Sequence, residues 1–161
     1  MANYVRLDGT WRYAIRFLGG ISLCDAILNR NVNDNRYYIP VIVQSTTLQF
    51  RLNFLLDTGA SRTQISWSDA TSAGIAIRLL PPEDLPFACH GGTVRGYILK
   101  ESVLAFRSNT GRHDISMSNL SVSDYETTDG IACPILPSVL GIDILRGFDI
   151  LFRGIYALLR S

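Results

Sequence analysis

Several groupings of side chains in this sequence have the right types for chemistry, but their spacing separates them sharply. The foremost is Asp57-Thr58-Gly59, which follows the apolar run Phe54-Leu55-Leu56 and leads into Ala60-Ser61. A carboxylate at the end of a buried strand is costly unless its neighbours hold it. Thr58 offers a hydroxyl close by, and Gly59 lets the backbone approach so that its N–H can face the carboxylate. Cys89-His90 places a thiol beside an imidazole, the ingredients of a nucleophile and its base. Adjacent strand residues point to opposite faces, which works against a dyad there. Cys24, Cys89, His90, His113 and Cys133 are the available soft ligands, and they lack the close pair that a zinc site needs. Asp124, Glu126 and Asp129 do not have calcium-loop spacing and read as a solvated loop. Asp143 reads as a helix-start or arginine-pairing residue. Asp57 is left as the centre of any chemistry, with no metal and no cofactor expected.

The elements that must position Asp57 are legible around it. Leu48, Phe50, Leu52, Phe54 and Leu56 alternate with Gln49, Arg51 and Asn53, the period-2 pattern of a half-buried strand. This strand delivers Asp57. Tyr37 to Gln44 is the strand before it, with Pro40 pushing it toward a sheet edge. Ser45-Thr46-Thr47 turns between them, so the two form a hairpin that holds Asp57 on a rigid element. Thr63 to Trp67 reads as a short strand, Ser68-Asp69 as the cap of a helical turn ending at Gly74, and Ile75 to Leu80 as extended chain. Pro81 to Pro86 is a stiff connection.

Phe87 to Leu99 has two apolar arms around Gly91-Gly92, a hairpin signal with a permissive tip. Tyr97 to Phe106 and His113 to Val122 are strands, and Ser123 to Ala132 is a polar, acidic loop. Asp129-Gly130 in that loop lacks the apolar strand and the Thr of a second Asp57-like site. Ile135 to Leu140 is an apolar run that enters Gly141-Ile142-Asp143 and a short helix. Gly141 permits a crossing close beneath the Asp57 loop, where a side chain would clash. Phe148 to Phe152 and Ile155 to Leu159 read as a closing hairpin. Upstream, Trp11, Tyr13, Ile15 and Phe17 alternate as a strand.

Composition narrows the function classes. With 161 residues and 47% apolar content, the chain can bury a core as one domain. We divide it into an N-terminal extension, residues 1–36, packing on a domain of residues 37–161. Fifteen Lys+Arg against fourteen Asp+Glu, scattered and almost all Arg, give no basic stripe for nucleic acid. No apolar run is long enough for a membrane span, and Met1 to Arg16 has no signal-peptide core. The expectation is a cytoplasmic protein without a nucleic-acid or membrane partner. Three widely spaced cysteines do not form a disulfide framework.

The pattern Phe54-Leu55-Leu56-Asp57-Thr58-Gly59-Ala60, the glycine-tipped hairpin and Leu140-Gly141-Ile142-Asp143 occur in the order seen in retropepsin-like aspartic proteases, and the chain resembles that family from about Tyr37 to Leu159. The resemblance implies an all-β, retropepsin-like acid protease fold: a closed, barrel-like sheet with a flap hairpin and one short C-terminal helix. It implies Asp57 as catalytic residue, Thr58 and Gly59 as support of the active-site loop, and Ala60, Ser61, Gly91 and Gly92 at the substrate. Ser61 and Arg62 depart from the acidic residues that retroviral members tend to carry there, which bears on substrate preference.

Aspartic protease chemistry needs paired carboxylates sharing one proton, one activating water and the other donating to the scissile carbonyl. This chain supplies one such loop, so the implied enzyme is a homodimer that uses Asp57 twice on an extended polypeptide. The alternative is a dimer of the same fold kept as a protein-binding or regulatory module with little hydrolysis.

Overall fold

The computed structural model describes residues 36–89, 92–108, 111–127, 136–153 and 156–160, together with short strand segments between residues 5 and 30. Those segments are β1 (Val5–Leu7), β2 (Thr10–Arg12), β3 (Ile15–Arg16), β4 (Leu23–Cys24) and β5 (Asn29–Arg30). The chain continues with β6 (Tyr37–Gln44), β7 (Gln49–Leu56), β8 (Gln64–Ile65), α1 (Trp67–Ser72), a 3-10 turn (Ile77–Leu79), β9 (Phe87–Cys89) and β10 (Gly92–Ser108). It ends with β11 (Gly111–Thr127), β12 (Val139–Leu140), α2 (Ile142–Leu145), β13 (Asp149–Arg153) and β14 (Tyr156–Arg160).

Eight strands form the main sheet in the order β5-β6-β7-β12-β8-β11-β10-β9, and β10 returns to pair with β6. That last pairing closes the sheet, as expected of a barrel-like architecture. Closure is possible because β10 is 17 residues long and serves two partners in succession. Its first residues pair with β9, Gly92 opposite Cys89, and its later residues pair with β6, Leu104 opposite Val43. Alternate side chains of these strands fill the interior. Val41, Val43, Phe54, Ile65, Leu104, Leu120, Val122 and Leu140 are fully buried, and Leu145 of α2 closes one end. Two parallel pairings interrupt the antiparallel ladder: β12 lies parallel to β7, and β8 parallel to β11. They bring the chain back through the barrel beneath the end of β7, where Asp57 emerges.

Some elements differ from the sequence reading. Of the alternating stretch from Trp11 to Phe17, Trp11 and Arg12 lie in β2, which pairs with β1, and Ile15 and Arg16 form β3, which pairs with β4; Tyr13, Ala14 and Phe17 lie outside the described residues. Pro40 does not mark an edge. On one side β6 pairs along its length with β7, and on the other it pairs with β5 at Tyr37 and Tyr38 and with β10 from Val41 to Gln44. Pro40 sits at the break between those two partners, the place in an interior strand where a missing N–H is tolerated. Ile77–Leu79 coils into a 3-10 turn rather than running extended, which buries Ile77. Helix α1 is capped by Ser66, two residues before Ser68, and is followed by Gly74 at φ +77°. The polar stretch after Val122 is still strand as far as Thr127, with Ser123 and Asp124 buried. Among the described residues, no helix is long and apolar enough to cross a membrane.

Candidate active site

Asp57 is held by continuation of the sheet beyond β7. β12 runs parallel beside the end of that strand, Val139 opposite Leu55 and Leu140 opposite Leu56. The Leu55 N–H donates to the Ser138 carbonyl at 2.7 Å, and the Asp57 N–H to the Leu140 carbonyl at 3.2 Å. The backbone is therefore fixed through the carboxylate-bearing residue itself. The chain then turns: the Ala60 N–H donates to the Asp57 carbonyl at 3.2 Å, and the Gly59 N–H to Asp57 Oδ1 at 2.8 Å. A Cβ on Gly59 would stand 3.2 Å from that oxygen, tighter than ordinary contact. Glycine keeps its N–H aimed at the carboxylate without crowding it. Asp57 and Ala60 are half-buried, whereas Thr58, Gly59 and Ser61 are exposed. The loop thus presents its tip outward from a rigid base.

The base is a polar clamp that local sequence did not reveal. Thr63, 1% exposed, donates from both its N–H and its Oγ1 to Asp143 Oδ1, each at 2.8 Å. The Gly141 N–H donates to Thr63 Oγ1 at 3.0 Å, and the Ile142 N–H to the Ala60 carbonyl at 2.8 Å. Asp143 Oδ1 also accepts from the Ile144 N–H at 2.9 Å, so from the first turn of α2 it holds the far end of the loop. Gly141 crosses in contact with the loop, and a Cβ there would overlap the backbone of Arg62. The crossing foreseen at Gly141 therefore falls beneath Arg62.

A second clamp ties β12 to α1. The Ser138 N–H and Oγ donate to Asp69 Oδ2 at 3.1 and 2.6 Å, and the Ser66 N–H donates to Ser138 Oγ at 3.0 Å. Thr63, Asp69 and Ser138 were missed in the sequence because each partner lies some 70 to 80 positions away. The available signal was a polar residue inside an apolar run, as Ser138 is between Leu136 and Leu140.

The β9–β10 hairpin stands beside the loop. Phe87 pairs with Val94, Ala88 with Thr93 and Cys89 with Gly92, whose φ of +141° is one that glycine tolerates. His90 and Gly91 at its tip lie outside the described residues, as do Asp129 and Cys133. Arg62 reaches from the Asp57 loop toward this hairpin: Nη1 lies 2.7 Å from Glu83 Oε2, and the guanidinium carbon sits 5.0 Å above the Phe87 ring.

Away from the loop, Asp124 is a buried carboxylate of a different kind. It accepts from Arg78 Nη2 at 3.2 Å, from the Tyr97 hydroxyl at 3.3 Å and from the Tyr125 N–H at 2.8 Å. Its charge, foremost, raises the pKa of Arg78 above the ordinary arginine value. Among the described residues, no cluster of His, Cys, Asp and Glu is arranged to hold a metal ion.

A closed β-sheet thus delivers an Asp-Thr-Gly turn at the end of β7, beside the β9–β10 hairpin. The structure is similar to a retropepsin-like aspartic protease from Rickettsia conorii, with TM-score 0.54, 18% identity, and coverage of 82% of this chain and 86% of that one. An EIAV protease complexed with the inhibitor HBY-793 overlays more loosely, at TM-score 0.45 and 20% identity, over 74% of this chain and 93% of that one. The fold is that of the retropepsin-like aspartic proteases. No family model matches the sequence. No curated protein matches it either.

Proposed function

We propose that the protein is an aspartic endopeptidase that hydrolyses extended polypeptides as a homodimer, each copy contributing Asp57. The observation that carries this reading is the Asp57 loop: a half-buried carboxylate, oriented by the Gly59 N–H, at the exposed end of a ladder clamped from below. Each chain brings one such loop, and a two-fold axis through exposed Thr58 would set two carboxylates side by side. Thr58 then holds the loops together across the axis, and Gly59 orients each carboxylate. Like charges that close share a proton, and their titration belongs to the pair. The ionised carboxylate takes a proton from water, the protonated one donates to the scissile carbonyl, and no covalent intermediate forms. Ala60 and Ser61 flank the substrate backbone, while Gly91 and Gly92 cover it from the hairpin tip. A further part of the proposal is that residues 1–36 pack as an extension on the domain of residues 37–161.

The test is incubation of the purified protein, beside Asp57→Asn, with a denatured protein or a peptide library across pH. Cleavage by the wild type, and a loss of about 10² to 10⁴ in Asp57→Asn, is the expected result. Equal cleavage by both overturns the assignment of Asp57. A stable dimer in sedimentation without cleavage supports a binding module of this fold instead, and a monomer at high concentration removes the paired carboxylate.

A further inference from the structure

We propose that Arg62 is a positioning residue that ties the stem of the β9–β10 hairpin to the Asp57 loop and so sets how closely the hairpin approaches a bound polypeptide. The tie itself stands on geometry, and its kinetic consequence rests on the protease reading above.

The backbone of Arg62 has little freedom. Gly141 packs directly against it, with no room for a Cβ, and the next residue, Thr63, is buried and bonded to Asp143 and Gly141. From this fixed point the side chain leaves the loop and meets both arms of the hairpin. It touches β9 directly, with its guanidinium 5.0 Å above Phe87. It reaches β10 through Glu83, whose carboxylate is 2.7 Å from Nη1.

Glu83 is in turn seated on β10. Its N–H donates to the Gly96 carbonyl at 2.9 Å, and its side chain occupies the space a Cβ on Gly96 would need, only 2.6 Å from Glu83 Cδ. The Ile98 N–H donates to the Pro81 carbonyl at 2.8 Å, and Pro82 bridges Tyr97, so residues 81–83 run along β10 as an added strip. The Glu83 side chain is 10% exposed, whereas that of Arg62 is 41% exposed. A largely buried carboxylate left without its cation disturbs its surroundings more than an exposed pair would. The register of β10 against β11 shifts between Val94 and Gly96, beside the place where Glu83 packs. Arg62 thus bears on β10 beside the irregularity in its pairing with β11, where the strand can bend.

A polypeptide held between the hairpin and the Asp57 loop would feel this tie as the width of the gap. Loss of Arg62 weakens binding of the ground state and transition state alike, so KM moves and kcat does not. The experiment uses the full chain and compares wild type, Arg62→Gln, Arg62→Lys and Glu83→Gln by amide hydrogen exchange and by steady-state kinetics on a cleaved peptide.

Faster exchange is expected in Phe87–Cys89 and Gly92–Ile98 for Arg62→Gln and Glu83→Gln, with Val41–Val43 and Phe54 unchanged. KM should rise about three- to tenfold for Arg62→Gln with kcat within about twofold, the scale of one partly screened ion pair and one cation–aromatic contact. Arg62→Lys should recover part of the effect, because an ammonium can pair with Glu83 but cannot stack its plane on Phe87. Unchanged hairpin exchange in both neutral variants overturns the tie, as does a uniform increase across the body strands, which a merely structural role would give. If the wild type cleaves nothing, the protease reading fails, and the exchange data still decide whether Arg62 holds the hairpin.

Discussion

Two regions of this molecule hold carboxylates in opposite ways. At the end of β11, Asp124 is 5% exposed and accepts hydrogen bonds from Arg78, Tyr97 and Tyr125, which come from three stretches of chain. At the end of β7, Asp57 is half-buried and accepts from Gly59, two residues along its own turn. Beneath the Asp57 loop the pattern reverts to that of Asp124: Asp143 takes Thr63 twice and Ile144 once. A carboxylate that serves the fold takes several donors, from distant stretches of chain as well as from the next residue, because burial is otherwise too costly. The role proposed for Asp57 needs a rigid backbone, and the ladder bonds from Leu55 and Asp57 to β12 supply one. The division of labour is between Asp143, which holds, and Asp57, which is presented.

The same chemical change at each carboxylate should therefore give different results. Asp57→Asn removes a proton acceptor and leaves the ladder bonds from Leu55 and Asp57 to β12 in place. Peptide cleavage should fall by about 10² to 10⁴, the usual contribution of a general acid or base, while the thermal midpoint stays close to that of the wild type. A large drop in the midpoint with cleavage retained would reverse the roles assigned to the two regions. Asp143→Ala should do the opposite. It leaves the N–H and hydroxyl of Thr63 buried without their acceptor, a loss of about 2–4 kcal/mol in denaturant unfolding. Asp143→Asn keeps an acceptor oxygen and should lose much less. If alanine and asparagine behave alike, the clamp does not work through that oxygen.

How much of this was legible in the sequence depends on the distance over which each interaction runs. The alternation of Leu48 to Leu56 and the apolar run of Tyr37 to Gln44 are local, and the strands lie where they were read. Gly141 was readable as a close crossing because glycine after an apolar run has few other reasons to be there. The Thr63–Asp143 and Asp69–Ser138 clamps were not readable, since their partners are brought together only by the parallel strands. For the same reason Ser123 and Asp124 looked like a solvated loop. Their polar groups are bonded across the fold, Ser123 to Trp67 and Asp124 to Arg78 and Tyr97. Pro40 misled in the other direction: its local rule is sound, and a gap between two partner strands satisfied it without an edge.

Asp124→Asn gives an intermediate effect and sharpens the contrast. Asparagine keeps one acceptor but turns an N–H₂ toward Arg78 or Tyr97, each of which donates to the present carboxylate. A loss of about 1–3 kcal/mol in denaturant unfolding is expected, without change in cleavage once the protein is folded. Altered cleavage by folded Asp124→Asn would mean that the two regions are coupled rather than separate.

The smallest effect expected concerns Tyr125, whose ring packs 5.4 Å from Trp67 with the Arg78 guanidinium 5.8 Å from its centre. Its phenol pKa is raised above the ordinary value, first by the hydrogen bond with Glu126, then by the charge of that same carboxylate; Arg78 opposes the rise. A phenol with a raised pKa holds its proton more tightly in the folded state than in the unfolded one. Its contribution to stability is therefore complete below the ordinary tyrosine value of about 10 and is lost as pH climbs through the folded value. Tyr125→Phe removes that term, so stability should fall less steeply with pH on the alkaline side while differing little at neutral pH. Denaturant unfolding of the two proteins across that alkaline range, with tyrosinate absorbance of the native state alongside, measures both quantities. Identical alkaline slopes would show that the Glu126 carboxylate does not hold the proton on the Tyr125 phenol in solution.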